Sequence, residues 1–232
     1  MAARLLEARA GGALVDPASE PGPADLEEVY RVQDLVLHAA GEGARPGAWK
    51  AIPPRPGNNP AASPVPRPCV VRSPAVLAAG RSLLGVEPEV AFRVGPDLEA
   101  REVLVTIELC ETRLRGWESA PALWKLADFQ SNGALIVGSG TPDWQAVDFP
   151  KQRMELLVNG VAVAGTVGGH PAGDPSRLLP WMRAHCAGRG GLQGGDLITT
   201  GSWAGIVKLS PGDEAVARFP GIGECRLRLE RR

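Results

Sequence analysis

At 232 residues the chain is long enough to bury a substantial core without crosslinks. Its formal net charge of -1, with the arginines spread along the chain and no basic block, gives no electrostatic case for nucleic-acid binding and favours a small-molecule partner. With 29 glycines and 22 prolines against 5% aromatics, the composition favours a turn-rich β architecture over a helical bundle.

Cys69, Cys110, Cys186 and Cys225 are scattered with no CxxC pair, so neither a zinc site nor a disulfide framework is expected, and a reducing cytoplasm fits. Charges at Arg4, Glu7 and Arg9 and the lack of any long apolar run predict no signal peptide and no membrane anchor. Residues 1–10 read as a short helix stopped by Gly11 and Gly12. A second helix starts at Asp25, with Glu28 at capping-box spacing, and carries Leu26, Val29, Val32 or Gln33, and Val36 on one face up to His38. From Ile52 to Pro74 the prolines, with Asn58 and Asn59, predict a loop or linker.

Beyond that point the period switches to two. "EVAFRV", "VLVTIEL", "ALIVG", "MELLVNGVAVAG", "DLITTGS" and "CRLRLE" are strand candidates, and Asn159-Gly160 marks a hairpin. One helix interrupts them, opened by Asp174-Pro175, running through Leu178, Trp181, Met182 and His185, and stopped by Gly188. Pro180 must lie in its first turn or kink it. The predicted class is α+β, dominated by antiparallel or mixed sheet.

The stretch "VEPEVAFRV" carries the chemistry. Glu87 and Glu89 project from one face of a strand, about 7 Å apart. Pro88 between them predicts an edge or strand-start position. In "VTIELCETR", Thr106, Glu108 and Cys110 share the face opposite to Ile107 and Leu109. Three carboxylates within about 5 Å would repel by roughly 3 kcal/mol per pair at an effective dielectric near 20. They must therefore be protonated, solvated or neutralised by a cation. All-oxygen ligation suits Mg²⁺ or Mn²⁺, with positions left for a chelating substrate. On spacing alone, an exposed strand end whose acids pair with Arg93 or Arg113 explains the pattern as well.

"EPEVAFRV", "IELCETR", "LADFQSNGALIVG", "GDLITTGSWAG" and "FPGIG" occur in an order that resembles the 2-keto-4-pentenoate hydratase branch of the fumarylacetoacetate hydrolase superfamily, over roughly residues 24–232. "VYRVQDLVL" followed by "GAWK" is similar to that branch's helical preface and Trp-Lys element. The resemblance implies a mixed β-roll or barrel with a small N-terminal helical region, divided as residues 1–66 (helices and Pro-rich loop) and 67–232 (catalytic domain). It implies Mg²⁺ or Mn²⁺ held by Glu87, Glu89 and Glu108. It further implies Lys50 as a proton-moving catalytic residue, and Thr200, Gly201, Ser202 and Asn132 as substrate-binding residues. Lys125, Asp128 and Gln130 are expected to brace the site around Asn132, with a surface position the alternative for Lys125. The implied activity is addition of water to 2-hydroxypenta-2,4-dienoate or a similar 2-oxo acid in aromatic catabolism, by a cytoplasmic homo-oligomer.

A buried lysine can have its pKa lowered toward neutrality, which would make Lys50 a base. "GRGGLQGG" leads into a strand and reads as a turn, and His170 as a solvated loop histidine. One element is missing: no carboxylate occurs between Lys50 and Glu87, where the family supplies an acid near the substrate. Two alternatives therefore stay open, a hydrolase or decarboxylase of 2,4-dioxo acids and a catalytically impaired 2-oxo-acid binder.

Overall fold

The computed structural model describes residues 1–42, 45–54, 59–80 and 82–231. In chain order the elements are α1 (Ala2–Arg9), α2 (Leu26–Leu37), β1 (Ala48–Ile52), β2 (Ala61–Val65), β3 (Val70–Arg72), β4 (Ala75–Leu77), β5 (Leu83–Val94), β6 (Ala100–Glu111), α3 (Ala122–Ala127), β7 (Asn132–Thr141), β8 (Arg153–Val158), β9 (Val161–Val167), α4 (Leu179–Ala187), β10 (Leu197–Thr199), β11 (Glu214–Phe219) and β12 (Gly223–Leu229). They build a seven-stranded mixed sheet, β2-β1-β10-β5-β6-β7-β3, and a five-stranded sheet, β4-β12-β11-β8-β9. The class is α+β, as the periodicity predicts.

Alternation along the two longest strands separates core from site. Val86, Val90 and Phe92 of β5 and Val103, Val105, Ile107 and Leu109 of β6 face the five-stranded sheet, meeting Met154, Leu156, Ala215, Ala217, Phe219 and Leu227. The other face of the same strands carries Glu87, Glu89, Thr106, Glu108 and Cys110. Helices close over that side. Leu5, Ala8, Val29, Val32, Trp124, Leu126 and Phe129 form a second core, and buried Gln33 ties α2 to β2 and α3 through the carbonyls of Ala62 and Leu126.

The local signals act as expected in most places. Asp25 accepts from Glu28 N at 2.9 Å, while the Glu28 carboxylate reaches back to Ala24 N. Asn159 and Gly160 both take positive φ, joining β8 to β9. Asp174 caps a 3₁₀ turn that precedes α4, and Pro180 sits in the first turn of that helix. Leu26 departs from its predicted face and is exposed.

The expected loop over 52–74 instead contains β2 and β3, so the large sheet draws strands from both sides of Pro66. Both are edge strands, and there the ladder tolerates Pro64, opposite Trp49, without losing a hydrogen bond to a second neighbour. Asn58 lies outside the described residues. Pro88 is a second correction: it sits in the middle of β5, which is flanked by β10 and β6. Strand β10 pairs only with Ala91 to Arg93, and beyond it an irregular segment takes over that side of β5, with Trp203 N donating to the Pro88 carbonyl and Val207 exchanging hydrogen bonds with Val86, so Pro88 falls where the regular ladder is interrupted. Strands β1, β4 and β11 were not legible as periodic runs.

Gly138 of β7 lies close against β12 of the other sheet. A Cβ built there would lie 2.2 Å from the Glu224 carbonyl oxygen. Gly138→Ala should therefore lower stability by about 1–3 kcal/mol, read as a lower urea midpoint with an unchanged slope.

Candidate metal and active site

The site is assembled from five neighbouring strands. Register sets Lys50 of β1 beside Thr199 of β10, Glu87 opposite Glu108, Glu89 opposite Thr106, and Cys110 beside Asn132 of β7. Lys50, Glu89, Thr106, Glu108, Asn132 and Thr199 are all buried, and Glu87 is half-buried. The exposed strand-end alternative fails on this burial, and its proposed partners are taken: Arg93 pairs with Glu102, and Arg113 with Asp128.

Glu108 is gripped from two sides. Lys50 Nζ donates to its Oε1 at 2.6 Å and Asn132 Nδ2 donates to the same atom at 2.7 Å. Glu89 accepts from the Thr199 hydroxyl and from Gly201 N at 3.2 Å. Glu89 Oε1 is buried with no hydrogen-bond partner among the described residues, and Glu108 Oε2 has only its ionic contact with Lys50. Unpaired carboxylate oxygens in a buried pocket are costly unless a proton or cation completes them.

Burial, followed by the negative charge of Glu108, pushes Glu87 up to about 7 and Glu89 up to about 8. For Lys50, burial opposes the charge, but Glu108, Glu89, Cys110 and Glu87 outweigh it and hold the ammonium above the ordinary lysine range. The expectation of a lysine poised near neutrality is thus corrected: the surrounding carboxylates overcome desolvation.

Glu87, Glu108 and Cys110 each bring a ligand atom within 4.8 Å of one another, a group able to hold a metal ion. Glu89 stands one register pair away on the same face, turned toward Thr199 and Gly201. Burial and then Glu108 raise the Cys110 thiol well above its usual value, so it stays protonated and lies 3.7 Å from Glu87 Oε2. The donors available are therefore carboxylate oxygens, a set that fits a hard divalent cation.

The segment leading into β7 is held under strain. Phe129, Gln130 and Ser131 all take positive φ, of 55°, 49° and 62°. The Arg113 guanidinium binds around it, pairing with the Asp128 carboxylate and donating to the carbonyls of Asp128 (2.6 Å), Asn132 (2.8 Å) and Glu111 (2.8 Å). Trp117 Nε1 holds the Ser131 hydroxyl at 2.8 Å. The resulting turn presents the Gln130 carbonyl to Lys50 Nζ at 3.2 Å. Asp128 and Gln130 therefore brace the site as expected, whereas Lys125 lies toward the surface, bonded to the Glu118 carbonyl.

In "LITTGS" the residue facing the acids is Thr199. The Thr200 hydroxyl is spent on the Val90 carbonyl at 2.8 Å, and Ser202 Oγ lies 3.3 Å from the Gly205 carbonyl. Period-two alternation from Leu197 could have singled out Thr199. His170 is not solvated as predicted. It is buried against Trp203 and donates from Nε2 to the Thr200 carbonyl at 2.8 Å, and burial lowers its pKa. Arg113, central to the turn, was visible only as a possible partner for the glutamates.

The sequence profile of the fumarylacetoacetate (FAA) hydrolase C-terminal family matches residues 58–230. The chain belongs to that family. Among curated proteins it is 26% identical over 166 residues to a 2-hydroxyhexa-2,4-dienoate hydratase of Comamonas testosteroni, covering 66% of this chain and 62% of that one. It is 25% identical to a 2-keto-4-pentenoate hydratase of Paraburkholderia xenovorans, covering 62% and 58%. The matches thus span about six-tenths of those enzymes' lengths. Among solved structures, 4-oxalocrotonate decarboxylase from Pseudomonas putida G7, complexed with magnesium and adipate, superposes with a TM-score of 0.84 at 18% identity, covering 98% of this chain and 95% of that one. That likeness establishes a shared fold.

Two outcomes follow. Removing the Arg113 side chain, as in Arg113→Met, leaves Asp128 a buried unpaired charge and should cost about 3–5 kcal/mol in urea unfolding. Glu87 and Glu89 hold protons more tightly folded than unfolded, so the folded state carries more protons between about pH 4.5 and 8. Without added metal, stability should fall as pH rises through that window, and Glu87→Gln with Glu89→Gln should flatten the fall in a urea-midpoint series.

Proposed function

We propose that the chain is a divalent-cation-dependent hydratase that adds water to 2-hydroxypenta-2,4-dienoate or a similar 2-oxo acid of aromatic catabolism. The observation that carries this reading is the buried cluster of Glu87, Glu89 and Glu108 with Lys50 among them. The curated relatives named as hydratases support the reaction class. Glu87, Glu89 and Glu108 would hold the ion, and Mg²⁺ or Mn²⁺ suits oxygen donors of this kind. When bound, such a cation would act as a Lewis acid that stabilises enolate charge developing on the substrate.

The chain's own residues supply the rest. Lys50 enters protonated, so its first act is to donate from Nζ to a substrate carbon or oxygen, after which it can serve as the base that activates water. Asn132 and the Gln130 carbonyl fix its direction through Glu108 and Nζ itself. Gly201 and Ser202, where the chain curls away after β10, and Asn132 border the substrate carboxylate. Thr200 contributes by fixing that curl to Val90.

A second reading has one observation in its favour. The ionisable side chains acting on Lys50 are Glu108, Glu89, Cys110 and Glu87, all of them in or beside the proposed ligand set. Among the described residues, none of the acids acting most strongly on Lys50 stands apart from that set, as a catalytically impaired 2-oxo-acid binder would also show.

Localisation and assembly complete the proposal. Cys110, Cys186 and Cys225 are buried thiols, which suits a reducing cytoplasm. Among the described residues no helix is long and apolar enough to cross a membrane. The edge strand β9 exposes Val161, Val163 and Val167, a surface on which a second copy could pair.

The deciding assay incubates the protein with Mg²⁺ and 2-hydroxypenta-2,4-dienoate and follows loss of dienol absorbance, with mass spectrometry of the product. Gain of one water supports the hydratase, loss of CO₂ replaces it with a decarboxylase, and oxalate binding without turnover favours the impaired binder. Glu89→Ala should abolish Mg²⁺-dependent turnover in a folded protein. Lys50→Ala should keep oxalate binding while lowering kcat by about 10²- to 10⁴-fold, and an unchanged kcat would remove Lys50 from the mechanism.

A further inference from the structure

A buried histidine outside the carboxylate cluster reaches it through a single peptide group. His170 Nε2 donates to the Thr200 carbonyl at 2.8 Å, and Gly201 N donates to Glu89 Oε2 at 3.2 Å. That carbonyl and that N–H belong to the same planar trans peptide unit, so they point in opposite directions. The imidazole holds one end of the unit while the other end holds Glu89.

The imidazole is itself fixed. Ala172 N donates to Nδ1 at 3.2 Å, which leaves Nε2 as the protonated nitrogen, and the ring packs against Trp203 with centroids 5.5 Å apart. Trp203 is anchored in turn: its N donates to the Pro88 carbonyl at 3.0 Å, and its ring stands edge-on to Phe219 in the main core. His170 is 4% exposed, so water hardly competes for the Thr200 carbonyl.

The peptide between Thr200 and Gly201 needs such a hold. Gly201 has a φ of +97°, and glycine accepts either sign of φ, so rotating this unit by half a turn meets no Cβ at residue 201. The rotated unit would withdraw its N–H and turn a carbonyl oxygen toward the Glu89 carboxylate. In the orientation observed, the Thr199 hydroxyl and Gly201 N both settle on Oε2, and Oε1 stays buried with no hydrogen-bond partner among the described residues. Which oxygen of Glu89 is left for a cation thus depends on which way one peptide faces.

We propose that His170 is a positioning residue for the metal: by holding the Thr200–Gly201 peptide in one orientation, it fixes Glu89 with Oε1 free for the cation. This deepens the proposed function and rests on its assignment of Glu89 as a ligand.

The test needs no turnover. Mn²⁺ alone is titrated into each protein and the free ion followed by electron paramagnetic resonance, with urea midpoints measured alongside. Glutamine is long enough to set an amide N–H where Nε2 stood, whereas asparagine, one methylene shorter, is not. His170→Gln should keep the Mn²⁺ affinity within about twofold, while His170→Asn and His170→Leu should weaken it about tenfold. A histidine that only stabilised the fold would give losses that follow the urea midpoint and do not distinguish glutamine from asparagine. The unsubstituted protein gives a second measurement, since its long-range ¹H–¹⁵N spectrum should show His170 neutral with the proton on Nε2. Wild-type affinity in His170→Leu, equal loss in the glutamine and asparagine variants, or a proton on Nδ1 would overturn the positioning role and leave the metal site standing. If the wild type binds no Mn²⁺, or Glu89→Ala binds it as tightly as the wild type, the ligand assignment falls and the role of His170 falls with it.

Discussion

Three carboxylates and one ammonium share a face of the large sheet from which most water is excluded, and the rest of the site follows from that imbalance. Lys50 and Asn132 can satisfy one oxygen of Glu108, and Thr199 and Gly201 one oxygen of Glu89. Among the described residues Glu89 Oε1 remains buried and unpaired. In a low-dielectric setting the surplus negative charge has to be met by protons or by a cation. The raised values of Glu87 and Glu89 are the proton solution, and an oxygen-ligated divalent ion is the other. The same atoms therefore link stability, pH and metal affinity.

The scaffold makes this imbalance affordable by separating it from the core. Alternation in β5 and β6 sends Val86, Val90, Val105 and Ile107 to one side and the acids to the other, so the apolar packing that stabilises the sheets does not depend on how the acids are charged. Short β10 contributes twice. It brings Lys50 of β1 within reach of the acids of β5, and by ending at Thr199 it leaves the following chain free to turn its Gly201 N–H onto Glu89. A longer β10 would continue the ladder past Ala91 and carry that N–H into the sheet.

Legibility tracks how local the determining interaction is. Helix α2 declares itself through Asp25 and Glu28, and the β8–β9 hairpin through Asn159-Gly160, because capping and turn geometry are settled within a few residues. The common face of Glu87, Glu89 and Glu108 is legible for the same reason, since period two is a property of the strand itself. Strand β2 is not, because what permits Pro64 in a strand is its position at the sheet edge, a fact of tertiary arrangement. Pro88 misleads in the same way: the regular ladder on that side of β5 gives way to an irregular segment because β10 is short. Arg113 and His170 stayed hidden because their partners, Asp128 and the Thr200 carbonyl, lie 15 and 30 residues away.

The direction of the Lys50 shift bears on the chemistry most. A lysine buried alone would lose its proton, and the sequence invites that reading. Here the carboxylates that would bind the cation are also the groups that keep Lys50 charged. Any cation drawn to Glu87, Glu89 and Glu108 weakens the field holding the proton on Nζ, because its charge offsets theirs. Metal loading and proton retention on Lys50 are therefore opposed through shared ligands. A residue that is a firm ammonium beside bare carboxylates becomes a readier proton donor once their charge is offset. The strained turn at Gln130 keeps Nζ in place through that change, since its carbonyl accepts from Nζ whether or not Glu108 still pairs with it.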